Sequence, residues 1–216
     1  MKNLLFKEWK LVLHPTTFIF LSLGFLFLVP NYPFYVSFFY MCLSLFFLFL
    51  SGRENKDIFF TVSLPVRKRD VVRARCWTVA LIELAQLLLT IPFALIRYHW
   101  TSMGPNLAGI EANVAFYGFA FGFFSVFNLL FLPGYYRTGY QIGLPFLFAG
   151  IGLLVYYVAV EMMVWIPSPL RDFLDGMSPD LMRAQLPILA GGILWWILSW
   201  FLACRISQKR FEKVDL

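Results

Sequence analysis

The chain has 216 residues, of which 60% are hydrophobic and only 14% are charged, and its formal net charge is +6. This composition excludes a soluble globular domain, and recurring apolar runs of about 20 residues predict an all-α, polytopic membrane protein. Because the basic residues flank those runs, the positive charge indicates membrane topology and not a nucleic-acid partner.

Residues 1–14 predict an interfacial elbow helix. On a helical wheel one face carries Asn3, Lys7, Lys10 and His14, and the other carries Leu5, Trp9, Val12 and Leu13. Such a helix lies along the bilayer surface, with Trp9 at the headgroups and the lysines in water. The alternative is a positively charged flank that only sets topology.

Six transmembrane helices are predicted from the apolar runs, at residues 16–29, 34–50, 77–96, 112–132, 140–166 and 187–204. Pro133 and Gly134 are expected to end the fourth span. Pro145 is expected to kink the fifth. The chain is treated as one transmembrane domain over residues 1–216.

Residues 51–75 form the longest charged segment. Ser51 and Glu54 fit a capping box, which predicts a helix that begins at Gly52 and stops near Val62. Pro65 is then expected to open a basic helix that leads into the third span. The segment holds seven of the 18 Lys and Arg residues: Arg53, Lys56, Arg67, Lys68, Arg69, Arg73 and Arg75.

A polar insert at residues 167–186 separates the last two spans. Ser168 before Pro169 and Ser178 before Pro179 each place a capping residue ahead of a first-turn proline. The insert therefore predicts two short helices, at residues 169–175 and 179–185.

The distribution of basic residues predicts the orientation. If the N-terminus is cytoplasmic, 15 of the 18 Lys and Arg residues fall on the cytoplasmic side, and only Arg97, Arg171 and Arg183 fall outside. We therefore expect a multi-pass protein of a bacterial cell membrane with both termini in the cytoplasm. The segment 51–75 is then cytoplasmic and the insert 167–186 external.

Motifs for catalysis, nucleotides and metals are missing from the sequence. It contains neither GxxxxGK[ST] nor HExxH, and its three cysteines form no CxxC pair. We therefore predict no enzyme activity, no cofactor and no metal site in this chain.

Three polar side chains within the spans are candidates for a translocation path: Glu83, Gln86 and Asn128. A carboxylate within a membrane is costly, so Glu83 suggests a function. The alternative is that neighbouring helices simply satisfy it. Gly118 and Gly122 form a GxxxG motif for close helix packing, either within the chain or between two copies.

The order of these features resembles the permease subunits of type 2 ABC exporters, in the small bacterial branch whose ATPase is a separate polypeptide. The resemblance lies in the elbow helix, the paired external helices and the run DIFFTVSLPVRKRDVVRAR at residues 57–75. It implies that residues 53–62 form a coupling helix that docks on the ATPase, with contacts from Arg53, Glu54, Lys56, Asp57, Phe59 and Phe60. It also implies two permease copies with two ATPase copies, which bind ATP and Mg²⁺.

The cargo of this chain is a separate question, and two other classes of function are alternatives to export. The resemblance implies export, and the nearly charge-free spans favour an apolar or amphipathic cargo such as a peptide toxin or antimicrobial peptide. One alternative is a stand-alone ion-coupled carrier that uses Glu83. The other is a non-transporting membrane scaffold or immunity protein.

Overall fold

A computed structural model describes residues 2–12, 15–99 and 104–214, and every regular element in these ranges is helical. The α-helices are α1 (Lys2–Lys7), α2 (Thr16–Ser22), α3 (Tyr35–Glu54), α4 (Asp57–Ser63), α5 (Lys68–His99), α6 (Val114–Tyr135), α7 (Gly143–Trp165), α8 (Pro169–Leu174), α9 (Pro179–Ala184) and α10 (Leu186–Glu212). A π-helical turn, Glu8–Val12, continues α1, and a 3-10 helix, Leu23–Leu28, continues α2. Part of the predicted elbow helix, including His14, lies outside the described residues.

In the part of the chain that the structure describes, five helices are long and apolar enough to cross a membrane: α3, α5, α6, α7 and the run of α9 into α10. The segment Thr16–Leu28 is shorter. Its α-helical and 3-10 rises, ~1.5 and ~2.0 Å per residue, give it a length of roughly 22 Å. That is less than the ~30 Å of a bilayer core, so a sixth span at this segment remains a prediction.

Several predicted boundaries are wrong, most clearly around two prolines. Pro133 does not end α6, which continues to Tyr135; Arg210 donates to the Pro133 carbonyl at 2.7 Å, so the last turn is satisfied from outside. Since α7 begins at Gly143, Pro145 lies in its first turn, where the missing N–H is not needed. The expected kink inside the span therefore has no basis.

The short helices of the polar insert begin as predicted. The Ser168 hydroxyl accepts a bond from the Arg171 N–H at 3.2 Å, and the Ser178 hydroxyl accepts one from the Leu181 N–H at 3.4 Å. The insert is joined to the chain before α6, because the N–H of Glu111 donates to Asp175 at 2.8 Å. Burial raises the pKa of the Asp175 carboxyl, and this bond opposes the rise.

The core of the bundle lies around α6, whose buried aromatic residues pack against α3 and the 3-10 segment. The rings of Phe38 and Phe116 stack at 5.7 Å, and Phe27 lies 4.6 Å from Phe34. In contrast, α7 exposes large apolar residues along one face, at Leu147, Ile151, Leu154 and Val158. Such a face suits lipid or another helix.

Close contact between α6 and α10 depends on glycines. A Cβ added to Gly118 would lie 2.7 Å from the Ile188 carbonyl oxygen, and one added to Gly192 would lie 2.1 Å from the Gly118 oxygen. A Cβ on Gly122 would meet the Tyr156 hydroxyl of α7 at 2.1 Å. The GxxxG motif of α6 therefore serves packing within this chain.

We expect Gly192→Ala to destabilise the bundle by about 1–3 kcal/mol, because the new methyl group would force two backbones apart. Gly191→Ala is the matched control, since a Cβ there meets no atom within 4 Å. The control should be neutral, or more stable by up to ~1 kcal/mol from helix propensity. Thermal unfolding in detergent measures both, and equal midpoints would contradict this packing.

Candidate functional site

Most of the charged side chains gather at one end of the bundle, which contains α1, α4, the first turns of α5 and the last turns of α10. We call it the basic end. The charged segment predicted at residues 51–75 begins in α3, passes through α4 and enters α5. The candidate site is therefore built from the α3–α4 junction and the elements that hold it.

The predicted capping box at this junction is wrong. α3 runs through Ser51 and Gly52 without interruption, and the Asn55 N–H bonds to the Ser51 carbonyl at 2.9 Å. The break comes at Lys56, which has a left-handed φ of 51°, and no side chain caps α4. Likewise α5 begins at Lys68 and not at Pro65.

These boundaries distribute the six predicted coupling residues over three local structures. Arg53 and Glu54 end α3, and Lys56 forms the break, and all three side chains are exposed. The remaining three, Asp57, Phe59 and Phe60, lie on α4.

The two faces of α4 differ sharply. Ile58 and Thr61 are buried against the bundle, whereas Phe59 is 49% exposed and Phe60 63% exposed. Two adjacent exposed phenylalanines are costly in water. With the exposed charges nearby they form what we call the α4 surface: Arg53, Glu54, Lys56, Phe59 and Phe60.

Asp57 lies on the inner side of α4 and is not part of that surface. Lys7 donates to one of its carboxylate oxygens at 2.6 Å, and Arg75 donates to the other at 2.7 Å. Lys7 also donates to the Thr61 hydroxyl at 2.7 Å. The expectation that the lysines of the first helix lie in water is therefore wrong for Lys7, whose side chain is only 14% exposed.

Arg75 connects three elements. Its guanidinium pairs with Glu8 in the π-helical turn and with Asp57 in α4, while Arg75 itself belongs to α5. It also lies 5.3 Å from the centre of the Phe49 ring of α3. A Cβ on Gly52 would come within 3.2 Å of the guanidinium, so the glycine leaves room for it. We call Lys7, Glu8, Asp57 and Arg75 the ion-pair cluster.

Burial determines what the ion-pair cluster does for the structure. The side chains of Glu8 and Arg75 are 2% and 4% exposed. Charges removed from water at this level are stable only when paired, and leaving one unpaired is strongly destabilising. The cluster therefore fixes α4 to the N-terminal helix and to the base of α5.

The three predicted path residues lie inside the bundle. Glu83 is fully buried and accepts bonds from Asn128 at 3.0 Å and from the Trp196 indole at 2.8 Å. Gln86 turns to another helix and donates to Ser37 at 2.8 Å. The structure thus brings Glu83 and Asn128 together and separates Gln86 from them. These contacts join α5 to α6, α10 and α3, while a role in translocation remains a prediction.

An apolar cavity of about 230 Å³ opens between α3 and α7. The three path residues are absent from its lining, which consists of Tyr35, Val36, Phe39, Phe123, Gly150, Leu153, Leu154 and Tyr157. The described chain therefore offers an apolar surface, distinct from the Glu83 cluster, that suits an apolar molecule.

Sequence reasoning missed Glu8 and Trp196 as partners. Glu8 had one available signal: it is the only acidic residue before Glu54, and it lies in a segment predicted to be basic. A lone carboxylate beside a membrane suggests a buried cation partner. Trp196 had no such signal, because Trp is common in apolar spans.

The comparisons with known proteins gave one finding. The model of the family described as ABC-2 family transporter protein matches residues 3–208. No curated protein and no solved structure matches the chain. Members of this family are membrane components of transporters and usually work with an ATPase subunit. With its long apolar helices, the chain is a multi-pass membrane protein, and it belongs to the ABC-2 family of transporter proteins.

Proposed function

We propose that this chain is the permease subunit of an ATP-driven exporter, with ATP hydrolysis supplied by a separate ATPase. Two permease copies would work with two ATPase copies, which bind ATP and Mg²⁺. The basic end would face the cytoplasm with both termini, in line with the excess of Lys and Arg there. The insert containing α8 and α9 would then be external.

The α4 surface is the observation that carries this proposal. Its exposed aromatic pair is bordered by both signs of charge, at Arg53, Glu54 and Lys56. A lipid surface with anionic headgroups favours cations alone, whereas a protein groove accommodates buried aromatic anchors with a charged rim. The inner face of α4 is meanwhile held by buried ion pairs. A rigidly mounted helix of this kind can transmit movement from an ATPase to the spans.

The proposed cargo is apolar or amphipathic, with a peptide toxin or antimicrobial peptide as the favoured class. Support comes from the apolar lining of the α3–α7 cavity and from the broad apolar face of α7. Neither feature selects one cargo. Export assays with candidate peptides in cells that express the whole transporter would test this part.

The first test is purification of the tagged chain from its native host in detergent, with identification of co-purifying proteins and an ATPase assay. We expect a stoichiometric ABC ATPase. A well-folded preparation without one would contradict the proposal and favour the ion-coupled carrier, for which a gradient-driven transport assay is then decisive. A scaffold or immunity protein would show neither activity.

The α4 surface is tested directly by Phe59→Asp with Phe60→Asp. Loss of two aromatic anchors, each worth about 2 kcal/mol or more at a protein interface, should weaken ATPase binding by roughly a hundredfold or more. The spans should still fold, because both side chains are exposed.

Tyr140→Asp is the matched control for this double variant, since it places the same acidic side chain at an exposed aromatic position at the basic end, beyond α6. It should keep the ATPase bound. Full transport by the Phe59 and Phe60 double variant would refute the assignment of α4 as the docking helix.

A further inference from the structure

The beginning of α5 and the end of α10 pack side by side in opposite directions. Lys68 donates to the Val214 carbonyl at 2.7 Å, and two turns further along α5 the Trp200 indole donates to the Cys76 carbonyl at 2.9 Å. The rings of Trp77 and Trp200 lie 4.6 Å apart. We call the surface along this contact the α5–α10 seam.

On the α5 side of the seam, exposed residues recur every four positions and change in character. Arg69 and Arg73 come first, then Trp77, then Leu81, and all four are exposed. Residues four apart lie on one face of a helix. This order matches the layers of a membrane interface: the arginines suit water, the tryptophan suits the headgroup layer and the leucine suits the acyl chains.

The α10 side of the seam also carries a cation beside an aromatic ring. The Arg205 guanidinium lies 4.3 Å from the centre of the Phe201 ring. Arg205 precedes Glu212 by seven residues, two helical turns, so both lie on the same side of α10. Glu212 pairs with Arg69, which places that side next to α5.

Two arginines of the seam have no ion-pair partner among the residues that the structure describes. Arg69 pairs with Glu212, and Arg75, two residues beyond Arg73, pairs with Glu8 and Asp57. Within residues 2–12, 15–99 and 104–214, by contrast, no carboxylate forms an ion pair with Arg73 or Arg205. Two guanidiniums without a carboxylate partner in these ranges thus lie beside a tryptophan pair.

We propose that the α5–α10 seam binds the headgroup of an anionic phospholipid. Its phosphodiester would lie between Arg73 and Arg205 at the level of the Trp77–Trp200 pair, with an acyl chain along Leu81 and Phe201. Guanidinium groups suit phosphate because they offer several donors in one plane. The apolar continuation of the seam favours a membrane lipid over a soluble phosphate.

The test uses the full chain in nanodiscs of phosphatidylcholine, with or without a fraction of phosphatidylglycerol. Thermal unfolding and native mass spectrometry report stabilisation and bound lipid. We expect phosphatidylglycerol to stabilise the wild type and to remain bound. Arg73→Gln with Arg205→Gln should lower the lipid affinity about fivefold for each cation removed.

The control replaces two other exposed cations of the basic end, Arg137→Gln with Lys213→Gln, and should keep the stabilisation. If it loses as much as the seam variant, the lipid responds only to overall charge and the proposal fails. Equal stabilisation of the seam variant and the wild type would also overturn it. So would the same shift from inorganic phosphate added to pure phosphatidylcholine discs, since the occupant would then be soluble.

Discussion

Arg75→Gln is expected to lower the stability of the bundle by about 3–5 kcal/mol and to abolish coupling between the ATPase and transport. The substitution leaves the buried Glu8 carboxylate with only the Lys7 ammonium, at 3.5 Å, and removes one of the two cations that bind Asp57. Lys7 replaces the guanidinium only in part, because its single ammonium is shared between Asp57 at 2.6 Å and Glu8 at 3.5 Å. α4 should therefore lose its attachment to α5.

A second substitution separates the cost of the unpaired charge from the loss of the link. Glu8→Gln with Arg75→Gln should be more stable than Arg75→Gln alone, since no buried carboxylate that has lost its guanidinium partner remains at position 8. Transport coupling should stay impaired in both variants, because neither restores the bond between α5 and α4.

Thermal unfolding in detergent and ATPase activity in the reconstituted transporter measure the two effects of Arg75→Gln. Arg67→Gln is the control, as it removes an exposed arginine from the same basic run. It should change neither measurement. If Arg75→Gln has the unfolding midpoint and the coupled ATPase activity of the wild type, the ion-pair cluster contributes neither to stability nor to coupling.

Substitutions of Glu83 are expected to destabilise the bundle to different extents according to the polarity of the new side chain. Glu83→Leu removes the acceptor of the Asn128 amide and of the Trp196 indole, so two buried donors lose their partner. We expect a loss of about 2–4 kcal/mol. Glu83→Gln keeps an oxygen acceptor of the same reach and should cost less than about 1 kcal/mol.

Transport measurements on the same variants decide between the two roles of Glu83. If the residue joins helices, Glu83→Gln transports like the wild type when the ATPase is supplied. An ion-coupled carrier would lose transport in Glu83→Gln as well, because a carboxamide cannot gain or release a proton. That result would overturn the exporter proposal and favour the ion-coupled carrier.

Trp196→Phe, which removes only one of the two donors to Glu83, should lower stability by an amount between those of Glu83→Gln and Glu83→Leu.

Local sequence signals predicted the long helices and the insert well. Apolar runs of sufficient length indicated the five long helices that the structure contains. The Ser-Pro pairs at residues 168 and 178 predicted two helix starts, because an N-cap bond and a first-turn proline act within four residues. The resemblance named Phe59 and Phe60 as docking contacts; the structure exposes both, and their docking role stays a prediction.

Local signals failed at two predicted helix boundaries. Pro133 does not end α6, which continues to Tyr135, and Arg210 of α10 bonds to the Pro133 carbonyl in the last turn. The capping box at Ser51 does not form, because the second helix of the pair begins only after the left-handed residue Lys56. Both cases show a local preference overridden by a competing backbone arrangement.

The sequence by itself determined the class of the protein and its long apolar helices, since these follow from composition and short-range pattern. Only the tertiary structure decided which charges meet. Arg75 and Glu8 are 67 positions apart, and Glu83 and Trp196 are 113 apart. Asp57 was predicted to contact the ATPase, but in the folded chain its carboxylate binds Lys7 and Arg75. A buried charge requires a partner, which comes from the element that lies nearest in space. Helix packing selects that element, and the periodicity of the sequence does not encode this packing.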